Sequence, residues 1–206
     1  MKVTLIDYGA GNPTSVERAL QRLGAESVRA NTPDCIASAS TLLLPGVGHF
    51  GTLIRALDQR RMRRPILDVI HRGVPFLGIC LGLHALYASS DEAPELEGLG
   101  LVPQQVRELP RHVKLPHMGW NQLRATNPAN PSRLLAGIEP AAHFYFAHSY
   151  AALASDQDDL SAATCSHGAN FVAVLESRNI FAVQFHPEKS GTAGARLLQN
   201  FLRLAA

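Results

Sequence analysis

The stretch Gly78-Ile79-Cys80-Leu81-Gly82 constrains this chain more than any other. Upstream, Val74-Pro75-Phe76-Leu77 is a short apolar run that reads as a buried strand. Downstream, Leu81, Leu83, Ala85, Leu86 and Tyr87 suit a helix packed against a sheet. A Gly-x-nucleophile-x-Gly at such a junction makes a tight, strained elbow. Its glycines are needed because a Cβ at either position collides with the neighbouring strand or helix. The turn lifts the Cys80 sulfur above the sheet and sets it at a helix N-terminus, where unpaired N–H groups and the dipole favour thiolate over thiol.

A reactive cysteine needs a base, and the C-terminal part of the chain offers one. Phe181-Ala182-Val183-Gln184-Phe185 reads as a strand, followed by His186-Pro187-Glu188. Proline fixes its own φ and pushes His186 away from helix, which predicts an extended segment. In extended chain, residues i and i+2 point the same way, so Glu188 sits beside the His186 imidazole. Cys80, His186 and Glu188 then form a nucleophile, base and orienter set.

The first half alternates strand and helix. Val3-Thr4-Leu5-Ile6 precedes a helical stretch over residues 12–23, with Val16, Ala19, Leu20 and Leu23 on one face. A short strand at 27–29 follows, then Thr41-Leu42-Leu43-Leu44, the loop Pro45-Gly46-Val47-Gly48, and a helical region before the elbow strand. Such alternation predicts an α/β fold, an open and mostly parallel sheet with flanking helices. Sites in these sheets lie beyond the C-terminal strand ends, so Asp7, residues 46–48 and Cys80 share one rim. From about Leu101 the pattern changes to added short strands or hairpins, at 102–109, 119–123, 143–150 and 170–175, before a closing helix at 197–204. No linker divides the chain, so residues 1–206 read as a single domain.

The net charge of +2 does not by itself point to nucleic acid or a membrane surface. Arg60-Arg61-Met62-Arg63-Arg64 is the one dense basic run, read as a solvated helix face. Cys35, Cys80 and Cys165 make an odd count without CxxC spacing, which argues against a disulfide framework and a zinc site. Cys35 and Cys165 read as small core residues. Asp156, Asp158 and Asp159 around Gln157 read as solvated charge. His71, His112, His143 and His167 read as surface or satisfied histidines; for His117 and His148, core packing and a role either behind the site or at an interface remain equal alternatives. The N-terminus has no leader pattern and no apolar run approaches membrane-spanning length, so a cytoplasmic protein with a reduced thiol is expected.

Further runs carry a resemblance. With the elbow and His186-Pro187-Glu188, the chain from Asp7 to Ser190 resembles the triad-type (class I) glutamine amidotransferases. Asp7-Tyr8-Gly9-Ala10-Gly11-Asn12, Pro45-Gly46-Val47-Gly48, Pro116-His117-Met118-Gly119-Trp120-Asn121, Phe144-Tyr145-Phe146-Ala147-His148-Ser149-Tyr150 and His186-Pro187-Glu188-Lys189-Ser190 are similar to one branch of that family. In that branch the glutaminase serves a cyclase that makes imidazole glycerol phosphate and aminoimidazole carboxamide ribotide in histidine biosynthesis. The resemblance implies that Cys80 attacks the side-chain amide of glutamine, leaving a glutamyl thioester, while His186 carries the proton to ammonia and then activates water. It also implies a partner cyclase, an eight-fold βα barrel that receives the ammonia. A chain of 206 residues has no room for both, so a heterodimer is expected. No cofactor and no metal are implied.

By the same resemblance, Gly46, Val47 and Gly48 supply an oxyanion hole together with the Leu81 N–H, and a flip of residues 46–48 is the expected switch. Ser149 and Tyr150 hold the glutamine α-carboxylate. Asn12, Trp120, Asn121, Tyr145 and Lys189 lie near the face turned to the cyclase. The chain departs from the family at Leu83-His84, where Met-Gln is usual. Met to Leu nearly conserves volume. His84 replaces a glutamine that hydrogen-bonds substrate, and an imidazole offers one donor and one acceptor. A catalytically silent scaffold of the same fold, favoured only by His84, and an amidotransferase for another acceptor stay open as alternatives.

Overall fold

The computed structural model describes residues 1–11, 13–127, 129, 131–154 and 160–206. Its first half alternates as β1 (Lys2–Ile6), α1 (Pro13–Arg22), β2 (Glu26–Ala30), α2 (Pro33–Ala37), β3 (Leu42–Gly46), α3 (Phe50–Gln59), α4 (Arg63–His71), β4 (Phe76–Cys80) and α5 (Leu81–His84). Shorter strands follow: β5 (Tyr87–Ser90), β6 (Val102–Glu108), β7 (His117–Gln122), β8 (Arg124–Ala125), β9 (His143–His148) and β10 (Tyr150–Ala152). The chain closes with β11 (Ser161–His167), β12 (Ala169–Ser177), β13 (Ile180–Val183) and α6 (Gly191–Leu204).

The main sheet has the order β2-β1-β3-β4-β13-β12-β11-β8. From β2 to β13 its neighbours are parallel; β12, β11 and β8 extend it antiparallel. This is the open, mostly parallel sheet expected from the alternation. Every residue of β3 and β4 is buried, as strands covered on both faces must be. Their two-residue period sorts the side chains into two cores. Leu42, Leu44 and Phe76 join Leu53, Ile54, Ile66 and Val69 of α3 and α4. Leu43, Leu77 and Ile79 join Val16 and Leu20 of α1 and Leu198 and Phe201 of α6. Each such side chain contributes about 1.5–3 kcal/mol on full burial, so the strand that ends in Cys80 is clamped from both sides. Smaller sheets, β10-β6-β5 and β7-β9, complete the second half.

Several expectations are corrected. The helix after the elbow stops at His84 instead of running to Tyr87, because Tyr87 pairs with Val102 in a parallel ladder that favours an aromatic. The run at 143–150 breaks at Ser149 into β9 and β10, which belong to different sheets. The arginine run is not one helix face: it turns the corner between α3 and α4, with Arg61 at φ 55° and Met62 buried. Arg63 pairs with Asp58 at 2.8 Å and also donates to the Glu97 and Gly98 carbonyls. Cys35 is exposed, since α2 buries only Ile36, whereas Cys165 is buried and its thiol is pushed up to about 12 by desolvation. Asp156, Asp158 and Asp159 lie outside the described residues. Among those described, no helix is long and apolar enough to cross a membrane.

Candidate active site

At the end of β4, Cys80 has φ 53° and ψ −105°. A residue with a Cβ holds that left-handed conformation only where its surroundings impose it. Two glycines let the surroundings come close enough. A Cβ on Gly82 would stand 2.0 Å from the Leu44 carbonyl oxygen, and one on Gly78 would stand 2.6 Å from the Gly82 carbonyl oxygen. In the β3–β4 register Gly46 is the partner of Cys80, and Val47 and Gly48 follow directly, Gly48 with φ 106°.

The parallel pairing of β13 with β4, Val183 against Ile79, makes the two strands exit side by side. His186 is extended as expected, but Pro187–Lys189 form a 3-10 turn. Proline suits the first position of a helical turn, where no N–H is needed. The turn itself brings Glu188 back, with Oε1 2.8 Å from His186 Nδ1. Both side chains are buried. The His186 N–H donates to the Tyr145 carbonyl at 2.9 Å, and the His186 carbonyl accepts from the Ser190 hydroxyl at 2.7 Å. Burial alone pushes the imidazole down, but hydrogen bonds to Cys80 and Glu188 outweigh it and hold the pKa up at about 10. Cys80 and Glu188 thus both favour the charged form of the ring.

Residues that the sequence reading did not single out complete this wall. Gln184 is wholly buried; its Nε2 donates to the Cys80 sulfur at 3.7 Å and its Oε1 lies 2.7 Å from His84 Nε2. The available signal was its place two residues before His186, on the same side of an extended segment. Burial pushes the His84 imidazole down to about 4, against the pull of the Gln184 bond. Glu92 accepts from the Phe50 N–H at 2.6 Å at the start of α3. Beside them the Tyr8 hydroxyl is buried without a closed hydrogen bond; desolvation pushes it up to about 12, and the nearby Val47 N–H draws it down.

Cys80, His84, Glu92 and His186 line a cavity of about 170 Å³. Leu81, Val47, Gly48, Ser149, Tyr150, His148 and Lys189 also belong to its lining. Gly46 and Glu188 are not among the lining residues. Larger cavities of about 370 and 350 Å³ lie elsewhere, around Arg133 and around Ile138, and hold neither Cys80 nor His186.

Behind Tyr150 runs a column of rings. His148 Nδ1 donates to the Tyr150 carbonyl at 2.9 Å, so its Nε2 is left to accept from His117 Nδ1 at 3.0 Å. The Asn121 amide then reaches His117 Nε2 at 3.4 Å. His167 stacks on His117 at 4.2 Å. Burial pushes His148 down to about 3 and His117 to about 4, so both rings are neutral donor–acceptor links.

The remaining candidates fall on β7 and β9. Trp120 and Tyr145 are cross-strand partners with rings edge to face at 5.9 Å, and Lys189 Nζ lies 5.7 Å over the Tyr145 ring. Met118 and Trp120, two apart on β7, are 64% and 56% exposed. Asn121 faces the other way and also donates to the Ser166 carbonyl at 3.2 Å. Asn12 lies outside the described residues. Among those described, no group of three or more His, Cys, Asp or Glu side chains could hold a metal ion.

The family model "Glutamine amidotransferase class-I" matches residues 4–205. A relative from Methanothermobacter thermautotrophicus, named imidazole glycerol phosphate synthase subunit HisH, is 44% identical over 202 residues, covering 98% of each chain. One of the same name from Salinibacter ruber is 44% identical over 208 residues, covering 98% of this chain and 94% of its own. Among solved structures, one titled as a glutamine amidotransferase is similar at a TM-score of 0.76 with 20% identity, covering 98% of each chain. PurLQS from Thermotoga maritima is similar at 0.78 with 19% identity, covering 100% of this chain and 99% of its own. At those identities the structures speak for the fold alone. The family model and the relatives do more: matched over nearly its whole length, this chain belongs to the class I glutamine amidotransferase family.

Proposed function

We propose that this chain is the glutaminase subunit of an imidazole glycerol phosphate synthase, hydrolysing glutamine and passing the ammonia to a cyclase. The observation that carries this reading is the meeting of Cys80 and the His186–Glu188 pair at one small cavity, in a chain so similar to subunits of that name. An imidazolium against the sulfur is the partner that a nucleophilic thiolate needs. The sulfur attacks the γ-amide carbon, His186 gives its proton to the departing ammonia, and a water activated by the same ring opens the thioester. Glu188 fixes the ring orientation through Nδ1 and supports its charge.

The other groups divide the substrate between them. Backbone N–H groups of Ser149 and Tyr150 suit the α-carboxylate, and the Glu92 carboxylate suits the α-ammonium. The Val47 and Leu81 N–H groups take the developing oxyanion, a donor pair in which either member contributes about 3–4 kcal/mol of transition-state stabilisation. The Val47 N–H acts on the buried Tyr8 hydroxyl, so a turn of residues 46–48 toward the cavity is the step by which the cyclase switches hydrolysis on. The exposed Met118 and Trp120, with Tyr145 and Lys189, form the face for the cyclase barrel in a heterodimer. Residues 1–206 act as one domain.

Glutamate release from glutamine, by the chain alone and with its cyclase plus the nucleotide precursor, tests the proposal. Strong stimulation in the complex is expected; no release under either condition overturns it. Cys80→Ala is expected to abolish glutamine-dependent synthesis while ammonia-dependent synthesis continues. Loss of both would show that the two chemistries are not divided in this way.

A further inference from the structure

The polar groups from Asn121 to the Tyr150 carbonyl form a chain of hydrogen bonds that runs in one direction only. The Asn121 amide is fixed by two backbone groups: its Oδ1 accepts from the Gln122 N–H at 2.8 Å and its Nδ2 donates to the Ser166 carbonyl at 3.2 Å. Nδ2 is thus the end turned to His117 Nε2, at 3.4 Å. His117 Nδ1 donates to His148 Nε2 at 3.0 Å, and His148 Nδ1 donates to the Tyr150 carbonyl at 2.9 Å. A carbonyl only accepts, so the order cannot reverse while both rings are neutral. His167 stacks on the His117 ring and donates from Nε2 to the Lys114 carbonyl at 2.9 Å, which steadies the ring's face.

The last link bears on the backbone where β9 breaks into β10. Tyr150 stands opposite Glu108 in the β10–β6 register, yet the bonds around it go elsewhere. The Leu109 N–H donates to the Ser149 carbonyl at 2.9 Å, and the Glu108 N–H donates to Asp91 Oδ2 at 3.3 Å. That is the non-hydrogen-bonded position of an antiparallel pair, where a residue's own N–H and carbonyl both point away from the partner strand. We infer that His148 and His117 are positioning residues for the glutamine α-carboxylate. His148 covers the Tyr150 carbonyl, so that the Tyr150 N–H on the same edge meets the carboxylate, and His117 fixes the tautomer of His148. The inference rests on the glutaminase reading and adds what holds one of its subsites. Without a donor from position 117, the His148 hydrogen is free to move to Nε2. The Nδ1 lone pair then opposes the Tyr150 carbonyl, and an uncovered oxygen faces the negative charge of the substrate.

Glutamine hydrolysis by the chain in complex with its cyclase tests this, with kcat and KM measured apart. His117→Phe keeps a ring in the stack and removes the donor. KM for glutamine is expected to rise about fivefold or more while kcat changes less than about twofold, as when binding common to ground and transition state is lost. His117→Asn places an amide N–H where Nδ1 stood and is expected to restore KM to within about twofold. In His148→Asn the amide reaches the Tyr150 carbonyl without help from position 117, so adding His117→Phe moves KM by less than about twofold. A KM unmoved by His117→Phe, a loss that falls on kcat instead, no rescue by asparagine, or an equal second loss in the His148→Asn background overturns the inference. Nitrogen NMR of the unaltered complex reads the His148 ring whether or not a variant folds: a hydrogen on Nδ1 is expected, and one on Nε2 overturns the inference. If the unaltered complex releases no glutamate, the glutaminase reading fails and takes this inference with it.

Discussion

Gly82 lies so close to the Leu44 carbonyl that a Cβ would stand 2.0 Å from the oxygen. Helix α5 thus rests on β3 at a distance that only hydrogen permits, and the left-handed φ of Cys80 follows from that approach. Gly82→Ala must lift the helix off the strand. It is expected to destabilise the fold by about 2–3 kcal/mol, and to reduce turnover more than the lost stability explains, because Cys80 and the Leu81 N–H move together. Urea unfolding beside assays on the folded variant separates the two; unchanged stability and rate would contradict the account.

His186 and Glu188 play unequal parts. Glu188 holds the ring through one bond at 2.8 Å, while its second oxygen is buried without a partner. Glu188→Gln keeps an acceptor for Nδ1–H and gives up the charge. It is expected to lower turnover less than His186→Ala does, and to shift the alkaline limb of the rate profile to lower pH as the imidazolium loses its carboxylate. A larger loss in the glutamine variant would reverse the assigned roles.

Stability is expected to peak near neutrality. His84, His117 and His148 have folded pKa values of about 4, 4 and 3 against 6.5 unfolded, so the unfolded chain binds their protons first. Their contribution is whole above pH 6.5 and is lost as pH falls toward 4, about 2 kcal/mol per ring by pH 5. His186 acts on the other side. Its pKa is raised to about 10, so its contribution is whole below 6.5 and is lost as pH rises through 10. Denaturant midpoints at pH 5, 7 and 10 measure both limbs, and a flat profile from 7 to 5 argues against neutral buried rings.

Trp120 offers a test of the cyclase face. It is 56% exposed and rests edge-on against Tyr145. Trp120→Ala is expected to change the stability of the isolated chain by no more than about 0.5 kcal/mol, while weakening the complex by at least about 1–2 kcal/mol. Titration of the cyclase gives the second quantity. An unaltered dissociation constant would remove Trp120 from the interface.

The parallel half was legible because its signals are large: Leu42, Leu43 and Leu44 in a row mark a strand buried on both faces, and Val16 and Leu20 mark one helix stripe. Strand β11 was not, although Ser161, Ala163 and Cys165 alternate inward, because residues so small carry no apolar signal. Cys80, His186 and Glu188 were named from the glycine elbow and from proline chemistry, yet Glu188 reaches the ring through a turn and not through extension. Gln184 and Glu92 were silent because their meaning lies in partners far along the chain: the sulfur 104 residues away for one, the Phe50 N–H for the other. The His117–His148 bond likewise exists only once β7 and β9 align.

The position of β13 sets an order of events during synthesis. The ribosome completes Cys80 long before Gln184 and His186, and until the final strand arrives the thiol has neither of them while β4 keeps one edge unpaired. Closing the sheet and arming the sulfur are therefore one act. A copy that ends before residue 184 has the elbow cysteine but neither the amide nor the imidazole that meets its sulfur.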